Sequence, residues 1–334
     1  MVVSVTLNGS LEAIDQQLVD GVLAKEMRAL AKTITLIEST RSDHQARARQ
    51  VLNRLLPYTG KAIRIGITGS PGAGKSTFIE AFGNWLIDNH YKVAVLAIDP
   101  SSSVSGGSIL GDKTRMESLC IRKESFIRPS PSGSSLGGVA DKTREAVLVC
   151  EAAGYDVVIV ETVGVGQSET AVAGMVDIFT LLQLPNAGDE LQAIKKGVVE
   201  IADLIAINKM DIDPTAAKLT QNQWKQALSM LRPTSPNWRP PVVAVSALRK
   251  QGIAEFWVEI ERFRKIMMDS GELDEKRKKQ SISWMWSMIE SGLRTLFREH
   301  PKVSAALPDI SQQVESGQMS PGAAAQLLLS HLGN

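Results

Sequence analysis

The fold of this chain is constrained most by the segment Gly69-Ser70-Pro71-Gly72-Ala73-Gly74-Lys75-Ser76. It matches the pattern G-x-x-x-x-G-K-[ST] in full, and it lies between an apolar run and an amphipathic stretch that ends at about Asp88. In this context the pattern predicts a strand, a glycine-rich loop and a helix, in that order. Glycine lets the backbone of such a loop close around phosphate groups, and the helix that follows presents its positive dipole end to them.

The chemistry of this loop predicts a role for its two polar side chains. Lys75 is placed to reach the β- and γ-phosphates of a nucleoside triphosphate, and the Ser76 hydroxyl is placed to ligate Mg²⁺. We expect the nucleotide to be bound by Gly69, Pro71, Gly72, Ala73, Gly74, Lys75, Ser76 and Thr77. The alternative is a glycine-rich turn with an accidental lysine, which the flanking strand and helix patterns disfavour.

Short apolar runs rich in Val and Ile recur through the middle of the chain, and amphipathic stretches separate most of them. Runs of this length are typical of strands that are buried on both faces of a parallel sheet. The candidate strands are Ile63–Thr68, Val93–Asp99, Val157–Glu161, Ile178–Leu184, Leu204–Asn208 and Val242–Val245. Their alternation with helical stretches predicts an α/β fold with a doubly wound, mostly parallel sheet.

The same patterns divide the chain into three predicted domains. Residues 1–60 form a helical N-terminal arm, because apolar residues recur there every three or four positions. Residues 61–265 hold the glycine-rich loop and all the candidate strands. Residues 266–334 are predicted to be helical; we interpret the basic run Lys276–Lys279 as a solvated helix face. For Trp284, Met285, Trp286 and Met288, packing in a core or a dimer is favoured over a face for another partner.

Composition excludes several classes of protein. The chain has 334 residues, of which 43% are hydrophobic, and its 37 basic and 36 acidic residues give a formal net charge of +1. Such a balance does not indicate a nucleic-acid partner. There is no run of about 18 apolar residues for a membrane span, no secretory pattern, and no Cys-x-x-Cys pair around Cys120 or Cys150. We therefore expect a cytoplasmic protein.

Three carboxylates are candidates for a magnesium shell. Glu161 ends a candidate strand in Glu161-Thr162-Val163-Gly164, where many GTPases carry Asp-x-x-Gly, and the longer side chain favours contact through water. Asp99 ends another strand beside the glycine-rich loop. Asp112 follows a Ser/Gly-rich segment, and either a magnesium contact or a helix N-cap accounts for it equally well. In the Asp-x-x-Gly element the glycine N–H faces the γ-phosphate, so Gly164 joins the candidate site.

A second cluster of residues predicts which base the nucleotide carries. Asn208-Lys209-Met210-Asp211 follows a late strand, and a carboxylate at Asp211 accepts hydrogen bonds from the N1–H and 2-amino groups of guanine. Adenine lacks that pair of donors and would leave the carboxylate desolvated and unpaired. Asn208 and Lys209 complete this loop, and Ser246-Ala247-Leu248, after another strand, would place a backbone N–H at the guanine carbonyl.

Several segments together carry a resemblance to a known family. They are GSPGAGKS, AIDPSS, SILGDKTRM, ETVGVGQSE, AGDELQAIKKG, NKMD and SAL. In these segments, and over most of its length, the chain resembles the MeaB/ArgK-like GTPases, which work with the adenosylcobalamin-dependent methylmalonyl-CoA mutase. The resemblance implies GTP and GDP as ligands, Mg²⁺, and a homodimer formed through the C-terminal helices. It also implies a chaperone that gates loading of the mutase cofactor and protects the mutase.

The resemblance also implies roles for particular residues. Asp99, Asp112 and Glu161 correspond to the magnesium-shell carboxylates of the family. Residues 186–196 correspond to a switch that couples the nucleotide to the partner, and we carry over Asp189, Gln192 and Lys195. The expected catalytic set is Lys75, Glu161, Gly164 and Lys195. The scattered histidines and unpaired cysteines disfavour a metal-delivery role such as that of the metal-inserting relatives.

Two other classes of function remain as alternatives. The first is a P-loop kinase or ATPase associated with transport of basic amino acids, which would have no reason to carry Asn208-Lys209-Met210-Asp211. The second is an interaction module that binds nucleotide without using it, which would not need an intact Lys75, Ser76 and Glu161. Gln167 is a weak candidate for orienting the attacking water, and no arginine finger is identifiable, so slow intrinsic turnover is expected.

Overall fold

A parallel β-sheet forms the centre of the protein. The computed structural model describes residues 11–98, 116–130, 136–162, 168–185 and 196–332. Within these ranges the sheet has seven strands: β1 (Ile63–Gly69), β2 (Val93–Ile98), β3 (Ser125–Ser130), β4 (Val157–Glu161), β5 (Ile178–Gln183), β6 (Leu204–Ile207) and β7 (Val242–Ala244). Their order is β3-β2-β4-β1-β5-β6-β7, and every neighbouring pair is parallel. The predicted α/β class is confirmed.

Helices precede, separate and follow the strands. In the described part of the chain they are α1 (Ala13–Leu23), α2 (Met27–Glu38), α3 (Ser42–Leu55), α4 (Lys75–Asp88), α5 (Glu117–Cys120), α6 (Leu136–Ala152), α7 (Ser168–Ala173), α8 (Lys196–Ile201), α9 (Pro214–Met230), α10 (Ile253–Asp269), α11 (Glu272–Glu299), α12 (Pro301–Glu315) and α13 (Pro321–Ser330). The helix predicted after the glycine-rich loop is α4. None of the described helices is long and apolar enough to cross a membrane.

The two faces of the sheet carry separate hydrophobic cores because successive strand side chains point to opposite sides. On one face Val157 and Ile159 pack with α4 and α10, where Phe82 meets Phe256 edge to face with ring centroids 5.1 Å apart. On the other face Val158 and Val160 pack with α6 and the N-terminal helices α1–α3. Helices on both faces are the reason that nearly every strand residue is apolar.

One strand, β3, is absent from the sequence-based prediction. It lies at the edge of the sheet, pairs only with β2 among the described strands, and contains Arg128 and Pro129. Proline lacks an N–H for the ladder and is accepted mainly on edge strands, so this segment lacks the continuous apolar run that marks the central strands.

The basic run at the start of α11 does not behave as a solvated face throughout, so that interpretation is wrong for two of its residues. Arg277 donates to both carboxylate oxygens of Asp177 at 2.8 and 2.6 Å and to the carbonyls of Gly60 and Ala62. Lys276 Nζ donates to the carbonyl of Asp177 and to the carboxylate of Asp203. The two cations therefore fix the beginning of α11 to the amino-terminal edge of the sheet.

Contacts along the chain separate two compact units, residues 1–277 and residues 278–334. The first unit contains the whole sheet together with α1–α10. The second has its own small core, in which Val303 and Ile310 of α12 pack with Ala324 and Leu328 of α13. The domain boundaries expected after residues 60 and 265 remain predictions.

Candidate nucleotide site

The carboxyl ends of four strands meet at one edge of the sheet and carry the predicted motifs. β1 lies between β4 and β5, with Ile67 opposite Glu161 and Gly69 opposite Leu182. β6 continues the series beyond β5, with Ile207 opposite Gln183. Because parallel strands end at the same edge, loops that are distant in sequence become neighbours, which is where open α/β sheets bind their ligands.

The glycine-rich loop needs glycine at two positions for steric reasons. A Cβ at Gly69 would lie 2.4 Å from the carbonyl oxygen of Leu182, so only a residue without a side chain allows β1 to end so close to β5. Gly74, the N-cap of α4, has a φ of +84°, and a Cβ there would lie 2.8 Å from Nδ2 of Asn208. These close approaches place the loop against the end of β5 and against the loop that follows β6.

Lys75, Ser76 and Glu161 lie together at the start of α4. Lys75 Nζ donates to the carbonyl of Gly69 at 2.8 Å, so the ammonium group lies against the backbone of its own loop. The Ser76 hydroxyl donates to Oε1 of Glu161 at 3.1 Å. Glu161 is buried, with 8% of its surface exposed. The structure thus brings together a cation, a hydroxyl and a carboxylate from two different strand ends, while Thr77 is exposed on the first turn of α4.

Asn208 connects the glycine-rich loop to the last two loops of the site. Its side-chain amide donates to the carbonyl of Ala73 at 2.8 Å, and its side-chain oxygen accepts from the N–H of Ala247 at 3.1 Å. The Asn208 backbone N–H donates to Gln183 at the end of β5. The side chain is fully buried, so these bonds are made without competition from water.

Asp211 is oriented by a side chain from the following strand loop. Ser246 Oγ donates to Oδ1 of Asp211 at 2.5 Å and accepts from the N–H of Arg249 at 3.1 Å. Met210 N–H donates to the carbonyl of Val245, which joins the same two loops through the backbone. Lys209 has a φ of +61°, and Leu248 is exposed beside this pair of loops. The loops after β6 and β7 therefore form one rigid unit.

Other predicted site residues lie outside the described residues. They are Asp99, Asp112, Gly164, Gln167, Asp189, Gln192 and Lys195. In the described part of the chain no group of three or more His, Cys, Asp and Glu side chains is placed to hold a metal ion.

Sequence reasoning missed the buried hydroxyl pair of Thr68 and Thr162. The Thr162 hydroxyl donates to Thr68 Oγ1 at 2.7 Å, which joins the ends of β1 and β4 one residue beyond Glu161. Both residues stand at the polar ends of apolar strands, and that position is the only sequence signal that marks them.

A glycine-rich phosphate loop after β1 and an Asn-Lys-x-Asp loop after β6, joined at one edge of a parallel α/β sheet, define a P-loop GTPase. The model of the family described as methylmalonyl-CoA mutase-associated GTPase MeaB matches residues 30–302. The chain belongs to the MeaB family.

Similar proteins cover between 79% and 98% of the chain. It is 53% identical to GTPase ArgK of Escherichia coli over 266 residues, 79% of this chain and 80% of that protein. It is 45% identical to the mitochondrial methylmalonic aciduria type A homolog of Mus musculus, over 98% of this chain and 83% of that protein. A crystal structure described as LAO/AO transport system kinase superimposes with a TM-score of 0.76 at 38% identity, covering 98% of this chain and all of that one.

Proposed function

We propose that this chain binds GTP at the carboxyl edge of its sheet, hydrolyses the γ-phosphate with Mg²⁺, and acts as a chaperone of the adenosylcobalamin-dependent methylmalonyl-CoA mutase. In that role GTP hydrolysis gates loading of the mutase cofactor and protects the mutase from inactivation. One observation supports the GTP part of the proposal: Asn208 bonds to Ala73 and Ala247, so the loop to which we assign guanine recognition lies beside the glycine-rich loop.

The geometry of the base loop favours GTP over ATP. Ser246 fixes Oδ1 of Asp211, so the carboxylate is held in one orientation before the nucleotide arrives. A preoriented carboxylate accepts from the two adjacent donors of guanine, whereas adenine would leave it without partners. The solved relative is described as a transport system kinase, and a kinase that uses ATP gives Asp211 no role.

The residues at the start of α4 fit a magnesium ion. Hydroxyl and carboxylate oxygens are the ligands that Mg²⁺ prefers, and Ser76 and Glu161 already lie within hydrogen-bond distance of each other. We assign Ser76 as a direct ligand and Glu161 to the surrounding shell, with Asp99 and Asp112 as further members. Bound there, the ion would neutralise charge on the β- and γ-phosphates.

The residues of this chain would position the phosphates and stabilise the charge on the group that is transferred. Lys75 would turn its ammonium group from the Gly69 carbonyl to the phosphates, and the loop N–H groups would stabilise charge on the transferring group. Gly164 would face the γ-phosphate, while Asp189, Gln192 and Lys195 would couple its loss to the mutase. We assign no arginine of the described residues as a finger, so we expect slow turnover that the partner accelerates.

A homodimer through the C-terminal helices is part of the proposal. In α11 the exposed apolar residues Ile282, Trp286, Ile289, Leu293 and Leu296 recur at alternating spacings of four and three positions. That spacing is the heptad seam by which two long helices pack together, so a second copy of the same helix is the fitting partner.

The decisive experiment measures GTP and ATP hydrolysis side by side, with and without the mutase. We expect hydrolysis of GTP alone, at a rate that rises when the mutase is added. Equal hydrolysis of ATP would overturn the base assignment and restore the kinase alternative. GTP hydrolysis that the mutase leaves unchanged would overturn the chaperone role and leave the GTPase intact.

The dimer is tested separately by light scattering after gel filtration. The double variant Trp286→Glu/Leu293→Glu places charges in the seam and should be monomeric. Ser287→Glu, on the same helix but outside the seam, should remain dimeric. A wild-type chain that is monomeric at micromolar concentration would contradict the proposal.

A further inference from the structure

A cavity lies at the opposite edge of the sheet from the candidate nucleotide site. Its volume is about 360 Å³, and it is lined by residues of α8, α9, the segment after α9, β7 and α10. Ala202 and Pro241, which line it, lie one or two residues before β6 and β7, whereas Asn208 and Ser246 follow the same strands. The cavity and the nucleotide site thus lie at opposite ends of the same two strands.

The floor of this cavity is apolar and preformed. Val199 and Leu228 line it and also pack against the core that contains the fully buried Trp224. Pro240 and Pro241 form another wall, and their fixed φ angles limit how far it moves. Small-molecule sites are mostly apolar clefts of about 300–1,000 Å³ with a few polar groups, and this cavity falls in that class.

The rim carries an excess of positive charge. Lys225, Arg232 and Arg239 line the cavity, and none of their side chains makes an ion pair or hydrogen bond with another residue of the described ranges. Two glutamates also line it. One of them, Glu259, is paired with Arg262 at 2.6 Å, which leaves three cations against Glu200.

We propose that this cavity binds a small organic anion. A phosphate or carboxylate group would lie at Lys225, Arg232 and Arg239, and an apolar portion would cover the floor formed by Val199 and Leu228. Charge-assisted hydrogen bonds from arginine are the strong ones, and an apolar group on a preformed floor adds affinity without reorganisation. Because the site lies at the other end of the strands, its ligand does not compete with GTP.

Calorimetric titration of the full chain in excess GDP tests this proposal, with naphthyl phosphate, naphthoate, naphthol and inorganic phosphate as probes. Excess GDP keeps the probes out of the phosphate loop. We expect naphthyl phosphate or naphthoate to bind at least about tenfold more tightly than naphthol, since a charge-assisted hydrogen bond contributes at least that factor. The phosphate and carboxylate probes separate the two anion chemistries.

Arg232→Gln/Arg239→Gln is the diagnostic variant, because both side chains are exposed and their loss should leave folding intact. This variant should bind the anionic probes about tenfold or more weakly than the wild type does, and its affinity for naphthol should be unchanged. Lys218→Gln, on the same helix as Lys225 but outside the cavity, should bind every probe as the wild type does. The melting temperature and GDP affinity of both variants check the fold.

Four results would overturn the proposal. They are no binding of either anionic probe by the wild type, equal binding by the double variant, equal binding of naphthol, and inorganic phosphate binding as tightly as naphthyl phosphate. The first result would show that there is no such site, and the second that Arg232 and Arg239 do not bind the anion. The third would show that the anionic group adds no affinity, and the fourth that the apolar floor adds none. GTP hydrolysis is not a readout here, so the outcome is independent of the proposed function.

Discussion

The side chain of Asn208 donates a hydrogen bond of 2.8 Å to the backbone carbonyl of Ala73, although 135 positions separate the two residues in the chain. The same side chain accepts from Ala247. Three loops that carry the phosphate and base motifs are therefore held by one buried amide.

Replacing Asn208 with alanine should destabilise the protein and weaken GDP binding together. The change leaves the Ala73 carbonyl and the Ala247 N–H without this partner in a buried setting, at a cost of about 1–3 kcal/mol for each group. Denaturant unfolding and GDP titration measure the two effects. Asn89→Ala is the control, because Asn89 is exposed and bonds only within its own helix turn, to Trp85. Equal effects of the two variants would contradict the bridging role.

Replacing Asp211 with asparagine should change which base is preferred. The amide no longer accepts from both guanine donors, so GDP affinity should fall about tenfold to a hundredfold. Xanthosine diphosphate, which carries a carbonyl in place of the 2-amino group, should gain affinity relative to GDP. The control Asp213→Asn changes a carboxylate that caps α9 through the N–H of Ala216. If Asp213→Asn shifted base preference as much as Asp211→Asn, the assignment of Asp211 would fail.

Replacing Glu161 with glutamine should reduce hydrolysis more than binding. The amide keeps the size of the side chain and its contact with Ser76, but it removes the negative charge that a magnesium shell requires. We expect single-turnover GTP hydrolysis to fall by at least about a hundredfold, in line with the loss of an electrostatic stabiliser. GDP affinity measured in EDTA should change little. A variant with wild-type hydrolysis and a wild-type magnesium requirement would exclude Glu161 from the shell.

Replacing Arg277 with methionine should destabilise the first unit strongly. Asp177 has 2% of its side chain exposed, so its carboxylate would remain as a buried charge without its main partner. Breaking a buried ion pair by removing one partner costs about 3–5 kcal/mol. Lys278→Met, one position further along and exposed, is the matched control. The double variant Arg277→Met/Asp177→Asn should recover part of the loss, and full additivity of the two changes would contradict direct coupling.

Replacing Asp203 with asparagine should alter how stability depends on pH. Burial raises the pKa of the Asp203 carboxyl, although Lys276 and the Phe179 N–H oppose the shift. A raised pKa means that the folded state holds the proton more tightly than the unfolded chain does. The contribution of this group to stability is therefore complete below the pKa of the unfolded chain, and it is lost as pH rises through the pKa of the folded protein. The wild type should therefore lose stability relative to the variant as pH increases from about 3.9, the ordinary value for aspartate. A stability difference between the two proteins that does not vary with pH would contradict the shift.

The sequence was sufficient to predict those helices and strands that a pattern of neighbouring residues marks. β1, the glycine-rich loop and α4 follow from one pattern, because glycine geometry and a helix start are properties of adjacent residues. The five other predicted strands were found because strands covered on both faces must be apolar along their length. β3 was missed because Arg128 and Pro129 interrupt its apolar run, and a proline is accepted there because one side of the strand has no ladder partner among the described strands.

The sequence by itself therefore determined the α/β class and the family, and its motifs predict the phosphate and base loops. Only the tertiary structure decided which groups meet: the Asn208 side chain with the Ala73 carbonyl, Ser246 with Asp211, Thr162 with Thr68, and Arg277 with Asp177. These partners lie far apart in the chain, and parallel strand order places them side by side. A basic run such as Lys276–Lys279 has the same pattern whether it faces water or a buried carboxylate, because its partners Asp177 and Asp203 come from distant segments that precede β5 and β6. The local pattern of residues determines the secondary structure of each segment, and the order of the strands in the sheet determines which segments come into contact.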